Sequence, residues 1–433
     1  MCASACANLS GLTGATAGSD ASADARPSKD AARDAAAKSE ASGGPRPDAE
    51  PDATRVRDAS GDAADDVSLP VVYADVTRVS SWSTFDLSTV RPDATGFTGG
   101  TFDGRYVYFV PAGTLTTSVV ARYDTTIGFA AASSWDTFDT TTLTQAPSGF
   151  SGAAFDGRYV YLVPTGGTVV RLDTRGSFND IGSWTTFDAT TISPAVGSFL
   201  GSVFDGRYVY LVPSVKNVVQ HDASAMVSGA LVRFDTTAAF TSASAWSTFA
   251  VGSLDPGVQG FQGGVFDGRY VYLVPSPNSV AARYDTQGSF AAASSWAIFD
   301  ADNASDAGGF NGNFVGGAFD GRYVYFVPNL EPYVTRYDTH GPFVNASSWA
   351  TFDPTSVSPD AMGFFGGAFD GRYVYLIPDV SGSTPDGVLA RYDTTSPFLD
   401  SSAWSIFDTG SLPGDALGFN GAVFDGEYLY LVP

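Results

Sequence analysis

The chain is poor in the residues that carry most enzyme chemistry. Of its 433 residues two are cysteine and two are histidine. Cys2 and Cys6 stand at the very start, so thiol chemistry is excluded from residue 70 onward, and stability there must come from packing rather than disulfides. His221 and His340 lie at non-equivalent places, too far apart for a histidine-rich metal site, and no core cysteine exists to pair with either. There is no Gly-rich phosphate loop, zinc spacing or calcium-loop pattern. No cofactor is therefore expected. No run of 18 apolar residues occurs, so no helical membrane span is expected. Beyond residue 69, Lys216 is the only lysine.

Charge is lopsided. The net charge is −23; residues 1–69 hold 12 of the 46 acidic and 7 of the 23 basic side chains, which leaves −18 on the remainder. That sign argues against nucleic acid or an anionic membrane surface as partner. It also serves simple solubility.

What the chain has in abundance is one repeated stretch, FDGRYVYLVP with small changes, beginning at Phe102, Phe155, Phe204, Phe266, Phe319, Phe369 and Phe424. Asp-Gly between alternating apolar runs predicts a hairpin in which both turn residues take positive φ. In the first copy the strands are expected at Phe97 to Phe102 (A) and Arg105 to Val110 (B). Their side chains are bulky and apolar on both faces, so both faces must be covered. Two more strand-like runs follow each hairpin: one ending in Arg-Tyr-Asp-Thr (C) and one holding a tryptophan (D), at Trp82, Trp135, Trp184, Trp246, Trp296, Trp349 and Trp404. The Asp-Gly turns are spaced by 53, 49, 62, 53, 50 and 55 residues, the length of a four-stranded blade. The expected fold is all-β: a seven-bladed β-propeller at residues 70–433, with four antiparallel strands per blade. Residues 1–69, rich in Ala, Asp, Ser and Gly and without aromatics, are expected to be a disordered tether.

The repeats begin out of phase. Val71 to Asp75 and Ser81 to Phe85 are expected as strands C and D, completing a blade whose A and B strands come from Phe419 to Val432, so that both chain ends lock the ring. The last B strand starts with Glu427 where the others have Arg. Glu427 is therefore expected near Arg78.

The order GGxFDG, YVYLVP, a Tyr-Asp strand and then Trp resembles the kelch repeat of seven-bladed propellers over residues 70–433, although kelch repeats carry the Gly pair at the end of strand B. The resemblance implies the architecture. At the N-terminus, Ala3-Ser4-Ala5-Cys6 resembles the end of a bacterial lipoprotein signal, which implies lipidation at Cys6 and an extracytoplasmic location, secreted or anchored.

The recurring Asp and Arg of strands B and C meet at the end of the ring that holds the A-B turns, where turn and ladder pairing explain them. The tryptophans, regularly placed, are expected to pack between blades. Variation lies at the other end, in the B-C and D-A loops, so recognition is expected there. The candidate binding residues are Lys216, Asn217, His221 and Asp222 in the Ser214 to Ser228 insertion, with Asp302, Asp306 and Phe365 in the D-A loops; none is assigned a catalytic or metal-binding role. The expectation is a monomeric, non-catalytic propeller recognising a protein or a glycan. The alternative is a carbohydrate-active hydrolase with a carboxylate pair in the central funnel.

Overall fold

The structure, a computed structural model, describes residues 3–8, 73–112, 118–147, 149–217, 226–304, 312–381, 384–414 and 416–433. These belong to one unit formed by Met1–Ser10 and Tyr73–Pro433. In the first blade the strands are Phe97–Phe102, Tyr106–Pro111, Val119–Asp124 and Trp135–Asp139, each antiparallel to the next. Strand B explains why blades must stack. Val107, Tyr108, Phe109 and Val110 are all fully buried. Alternation sends Tyr108 and Val110 into a cluster with Phe178 and Trp184 of the next blade, and Val107 and Phe109 into another with Val423 and Tyr430 from the chain's end. Burying such side chains contributes about 1.5–3 kcal/mol each.

Six blades are built this way from contiguous chain, at 97–139, 150–188, 199–250, 261–300, 314–352 and 364–408. Six, not seven, meet the expected description. A further four-stranded sheet takes its strands from both ends, in the order Trp82–Asp86, Ala3–Asn8, Tyr428–Leu431 and Ala422–Phe424. Its D, B and A strands fall where the sequence places them; its C strand does not. Ala3–Asn8 lies between the others, with Cys6 opposite Ser83 on one side and Tyr430 on the other. Of the C strand expected at Val71 to Asp75, Val71 and Val72 lie outside the described residues, and residues 73–75 form no strand of this sheet but lead into the loop before Trp82. There the Asp75 carboxylate accepts from Thr77 N at 3.1 Å, and Trp82 Nε1 donates to the carbonyl of buried Val76 at 2.8 Å. The tether expected at 1–69 thus contains one strand of the sheet, and its remainder lies outside the described residues. Nor does Glu427 pair with Arg78. The Arg78 guanidinium stands 3.0 Å from Asp75, only three residues away.

The hairpin turns also differ from expectation. Only the glycine takes positive φ, near +100° in every copy, as at Gly104 (φ 98). The central pair is Gly-Arg rather than Asp-Gly, because the aspartate has another task. Asp103 Oδ1 accepts from the backbone N of Arg105 (2.9 Å) and Tyr106 (2.7 Å), and Oδ2 accepts from the hydroxyl of buried Tyr108 (2.7 Å). The same three bonds recur through to Asp425, which holds Glu427 N, Tyr428 N and the Tyr430 hydroxyl. The motif is thus a side-chain turn that also satisfies a buried phenol.

Tryptophan joins the blades. Each stacks on the strand-D phenylalanine of the blade before it: Phe85 on Trp135, Phe138 on Trp184, Phe187 on Trp246, Phe249 on Trp296, Phe299 on Trp349, Phe352 on Trp404 and Phe407 on Trp82, with centroids 4.4–5.1 Å apart. The last stack brings the start of the ordered repeats onto the sixth blade. Packing is therefore the role of these residues.

Candidate functional site

The two ends of the propeller are chemically unlike. At the A-B turn end, the arginine that opens strand B forms a two-point pair with the aspartate that ends strand C. Arg105 Nη2 is 2.6 Å from Asp124 Oδ2, and Arg158–Asp173, Arg207–Asp235, Arg269–Asp285, Arg322–Asp338 and Arg372–Asp393 repeat it at 2.6–2.7 Å. The arginine hydrogen bonds hold Asp124 and Asp235 at a pKa of about 2, below the ordinary value of about 3.9. A carboxylate depressed in the fold stabilises it above the ordinary value and loses that contribution as pH falls toward 2. We expect a melting temperature that holds down to about pH 4 and drops between about pH 4 and 2, with a shallower drop in Asp124→Asn. A melting temperature that already falls between pH 7 and 5 would contradict this assignment.

At the opposite end the innermost strands leave an axial cavity of about 240 Å³. Its rim is set by one repeat position, the residue between the first Phe of strand A and the following Gly. That position is Thr98, Ser151, Leu200, Gln262, Val315, Phe365 and Asn420 in turn. The glycine after it kinks strand A through a bulge, as between Phe261 and Gly264, and lets neighbouring backbones meet at the axis. Ser151 is tied to the next blade, donating to Phe199 O at 2.9 Å and accepting from Gly201 N at 3.2 Å. The side chains of Thr98, Gln262 and Asn420 line the cavity and form no hydrogen bond among the described residues. They can offer donors and acceptors to a ligand, and half-buried Phe365 offers an apolar face.

The carboxylates of the loop end contrast with those of the turn end. Burial pushes the Asp379 carboxyl up. Burial, followed by the charges of Asp408 and Asp360, raises Asp386, whose Oδ2 is buried without a partner. Asp302 is raised by burial, opposed by its Ser279 hydrogen bond and reinforced by Asp300. Among the described residues this end holds one arginine, Arg91, which is bound to Asp93 (2.8 Å) and Asp139 (3.4 Å). With Arg91 and Lys216 as its cations, the loop end thus carries more carboxylates than cations among the described residues.

Those predicted site residues that are described do not converge. Lys216 and Asn217 lie on a small hairpin, Val215–Asn217 with Met226–Ser228, rising from the third blade. A second extra hairpin, Val380–Ser381 with Thr384–Pro385, rises from the sixth. Asp302 sits in the short helical turn Ala301–Ala304 after the fourth blade, and its carboxylate accepts from Gly312 N at 3.4 Å. Phe365 alone reaches the axial cavity. Cys6 occupies the middle of its strand. His221, Asp222 and Asp306 lie outside the described residues. Sequence reasoning missed the other axial residues, although their sign was present: a position that changes in every repeat between a Phe and a Gly that never do.

The axial cavity is lined by no Asp, Glu, His or Cys among the described residues, so the carboxylate pair of the hydrolase alternative is not found there. No group of three or more His, Cys, Asp or Glu among the described residues is arranged to hold a metal. No helix among them is long and apolar enough to cross a membrane. No family model and no curated protein matches the sequence. Among solved structures, the chain is similar to PorZ, described as an essential bacterial surface component of the type-IX secretion system of Porphyromonas gingivalis. The TM-score is 0.46 and the identity 12%, over 78% of this chain and 36% of that one.

Proposed function

We propose that the chain is a non-catalytic binding propeller of kelch-like kind, with the two-ended sheet as its seventh blade, acting outside the cytoplasm. It recognises a protein or a glycan through the B-C and D-A loops and the axial mouth. One observation supports this best: the turn end commits its carboxylates to arginine and turn bonds, whereas the loop end presents an excess of acids, two extra hairpins and unbonded amides around a cavity. Repetition at one end and variety at the other is the mark of a scaffold that displays a surface. A protein partner would bring a basic face, since charge complementarity steers association. A glycan would use the amides and Phe365. A lipid anchor at Cys6 is an alternative to strand pairing by Ala3, Ser4 and Ala5, because a mature chain beginning at Cys6 lacks them.

The test is a glycan array, and a displayed peptide library, probed with the full chain and its Gln262→Ala, Asn420→Ala double variant. We expect glycan hits to be lost in the variant, or peptide hits to be basic and to weaken at least about tenfold from 50 to 500 mM NaCl. Failure of both screens, or hits indifferent to both the variant and salt, would sink the reading.

A further inference from the structure

In the first blade an arginine at the loop end is gripped by two acids. Arg91 and Asp93 lie in the loop that leads to strand A at Phe97. Arg91 donates from Nε and Nη2 to the two oxygens of Asp93 at 2.8 and 3.0 Å, and Nη2 also reaches Asp139 Oδ2 at 3.4 Å. Asp139 ends strand D. Its Oδ1 is engaged elsewhere, accepting from Thr141 N at 3.0 Å to open the helical turn Thr140–Thr142, so Oδ2 is the atom left for the guanidinium. One side chain thus ties the entry of the blade to its outer strand.

The sixth blade rebuilds this place with both acids and without the arginine. Aligned on the first Phe of strand A, Phe97 and Phe364, Asp360 stands where Asp93 does and Ser358 where Arg91 does; aligned on Trp135 and Trp404, Asp408 stands where Asp139 does. The scaffold beneath is the same. Thr140 Oγ1 donates to Ser118 O and Pro147 O at 3.0 and 2.8 Å, and Thr409 Oγ1 donates to Gly387 O and Ala416 O at 3.1 and 2.6 Å. Asp408 again uses Oδ1 for its turn, accepting from Gly410 N at 2.8 Å. Among the described residues its Oδ2 and the Asp360 carboxylate have no hydrogen-bond partner. A third acid, Asp386, stands at the base of the extra hairpin. Its Oδ1 accepts from Gly387 N (2.7 Å) and Val388 N (3.1 Å), while Oδ2 is buried without a partner. The three acids line one cavity of about 420 Å³ together with Pro385, Val388 and Leu417. No three acids among the described residues are placed to hold a metal, so an extended organic cation fits this cavity better than a point charge. Leu417, 39% exposed, and Val388 offer an apolar wall to an aliphatic stem.

We propose that this cavity receives an arginine side chain of a partner protein, its guanidinium joining Asp360 to Asp408 as Arg91 joins Asp93 to Asp139. The assignment rests on the loop end being the recognition face, and it narrows a protein partner to one that presents an exposed arginine. Guanidinium suits the place better than ammonium because its planar fork serves two carboxylates at once. The probe is Nα-acetyl-arginine amide, titrated into the full chain and followed by ligand-observed NMR, with the lysine amide and the neutral citrulline amide as controls. Saturable binding is expected for arginine, at least about threefold weaker for lysine and lost for citrulline. The double variant Asp360→Asn, Asp408→Asn keeps the turn acceptor for Gly410 and should weaken binding at least about tenfold, with an unchanged thermal melt. Ser358→Arg returns the first blade's own occupant and should abolish binding of the probe. No saturable binding of the arginine probe, equal binding of the citrulline amide, or binding indifferent to both variants overturns the proposal. Basic library peptides that weaken in salt yet ignore Asp360→Asn, Asp408→Asn would overturn this site and spare the wider loop-end reading. Probe binding that both variants abolish, in a chain for which neither screen yields a hit, would uphold the site and sink that reading.

Discussion

Trp296→Ala is expected to lower the unfolding free energy by about 3–5 kcal/mol, measured by urea denaturation at neutral pH. The indole is 8% exposed. It stacks on Phe249 of the preceding blade at 4.5 Å with planes 7° apart, leans on Tyr284 at 4.9 Å, and donates from Nε1 to Phe290 O at 3.2 Å. Truncation removes a large apolar area, opens a hole between two rigid sheets that cannot collapse into it, and leaves a buried carbonyl without its donor. Trp296→Phe should fall between, keeping the stack and losing the hydrogen bond. An unchanged midpoint in the alanine variant would mean that the tryptophans do not join the blades. Loss of ligand binding without loss of stability would reassign them to recognition.

Gly316→Ala is expected to be nearly as damaging, for a different reason. A Cβ built there falls 2.9 Å from the Cα of Gly366, and the backbone has φ of +76°. The contact is backbone against backbone at the axis, where neither blade can retreat without moving its neighbours. Gly321, in the A-B turn of the same blade, has φ of +98° but open space around it. Gly321→Ala therefore measures the conformational cost alone, about 1–2 kcal/mol. Gly316→Ala should exceed it by a further ~1–3 kcal/mol of overpacking. Equal losses in thermal melts of the two variants would show that the axial backbones are not in contact.

These residues also show where the sequence was legible. Tryptophan spacing, Asp-Gly turns and alternating apolar strands each rest on local chemistry repeated many times, and they located the strands of six blades. The turn geometry was misjudged because Asp-Gly has two uses. The Tyr that follows the aspartate by five residues was the hint that its carboxylate was engaged with a phenol rather than with the turn's own φ. The C strand of the two-ended sheet was hidden for a stronger reason. Ala3–Asn8 carries none of the Arg-Tyr-Asp pattern of the other C strands, and small residues in an Ala-rich context read as tether. Only the partners that Ala3–Asn8 meets, about 80 and about 420 residues away, make it a strand. The axial residues were overlooked because a repeat draws the eye to what stays the same, whereas the useful position was the one that varied.

The two-ended sheet has a consequence for how the protein is made. Ala3–Asn8 and Tyr428–Leu431 are partners in one ladder, yet about 420 residues of chain separate them, so the first leaves the ribosome well before the second. At 5–20 residues per second the interval is at least about 20 s. Throughout it Ala3–Asn8 has only Trp82–Asp86 beside it, and the arc of blades keeps two raw flanks. Translation, not any step of blade folding, would then set when the circle can shut, and whatever shields those flanks in the meantime decides how much of the product escapes aggregation.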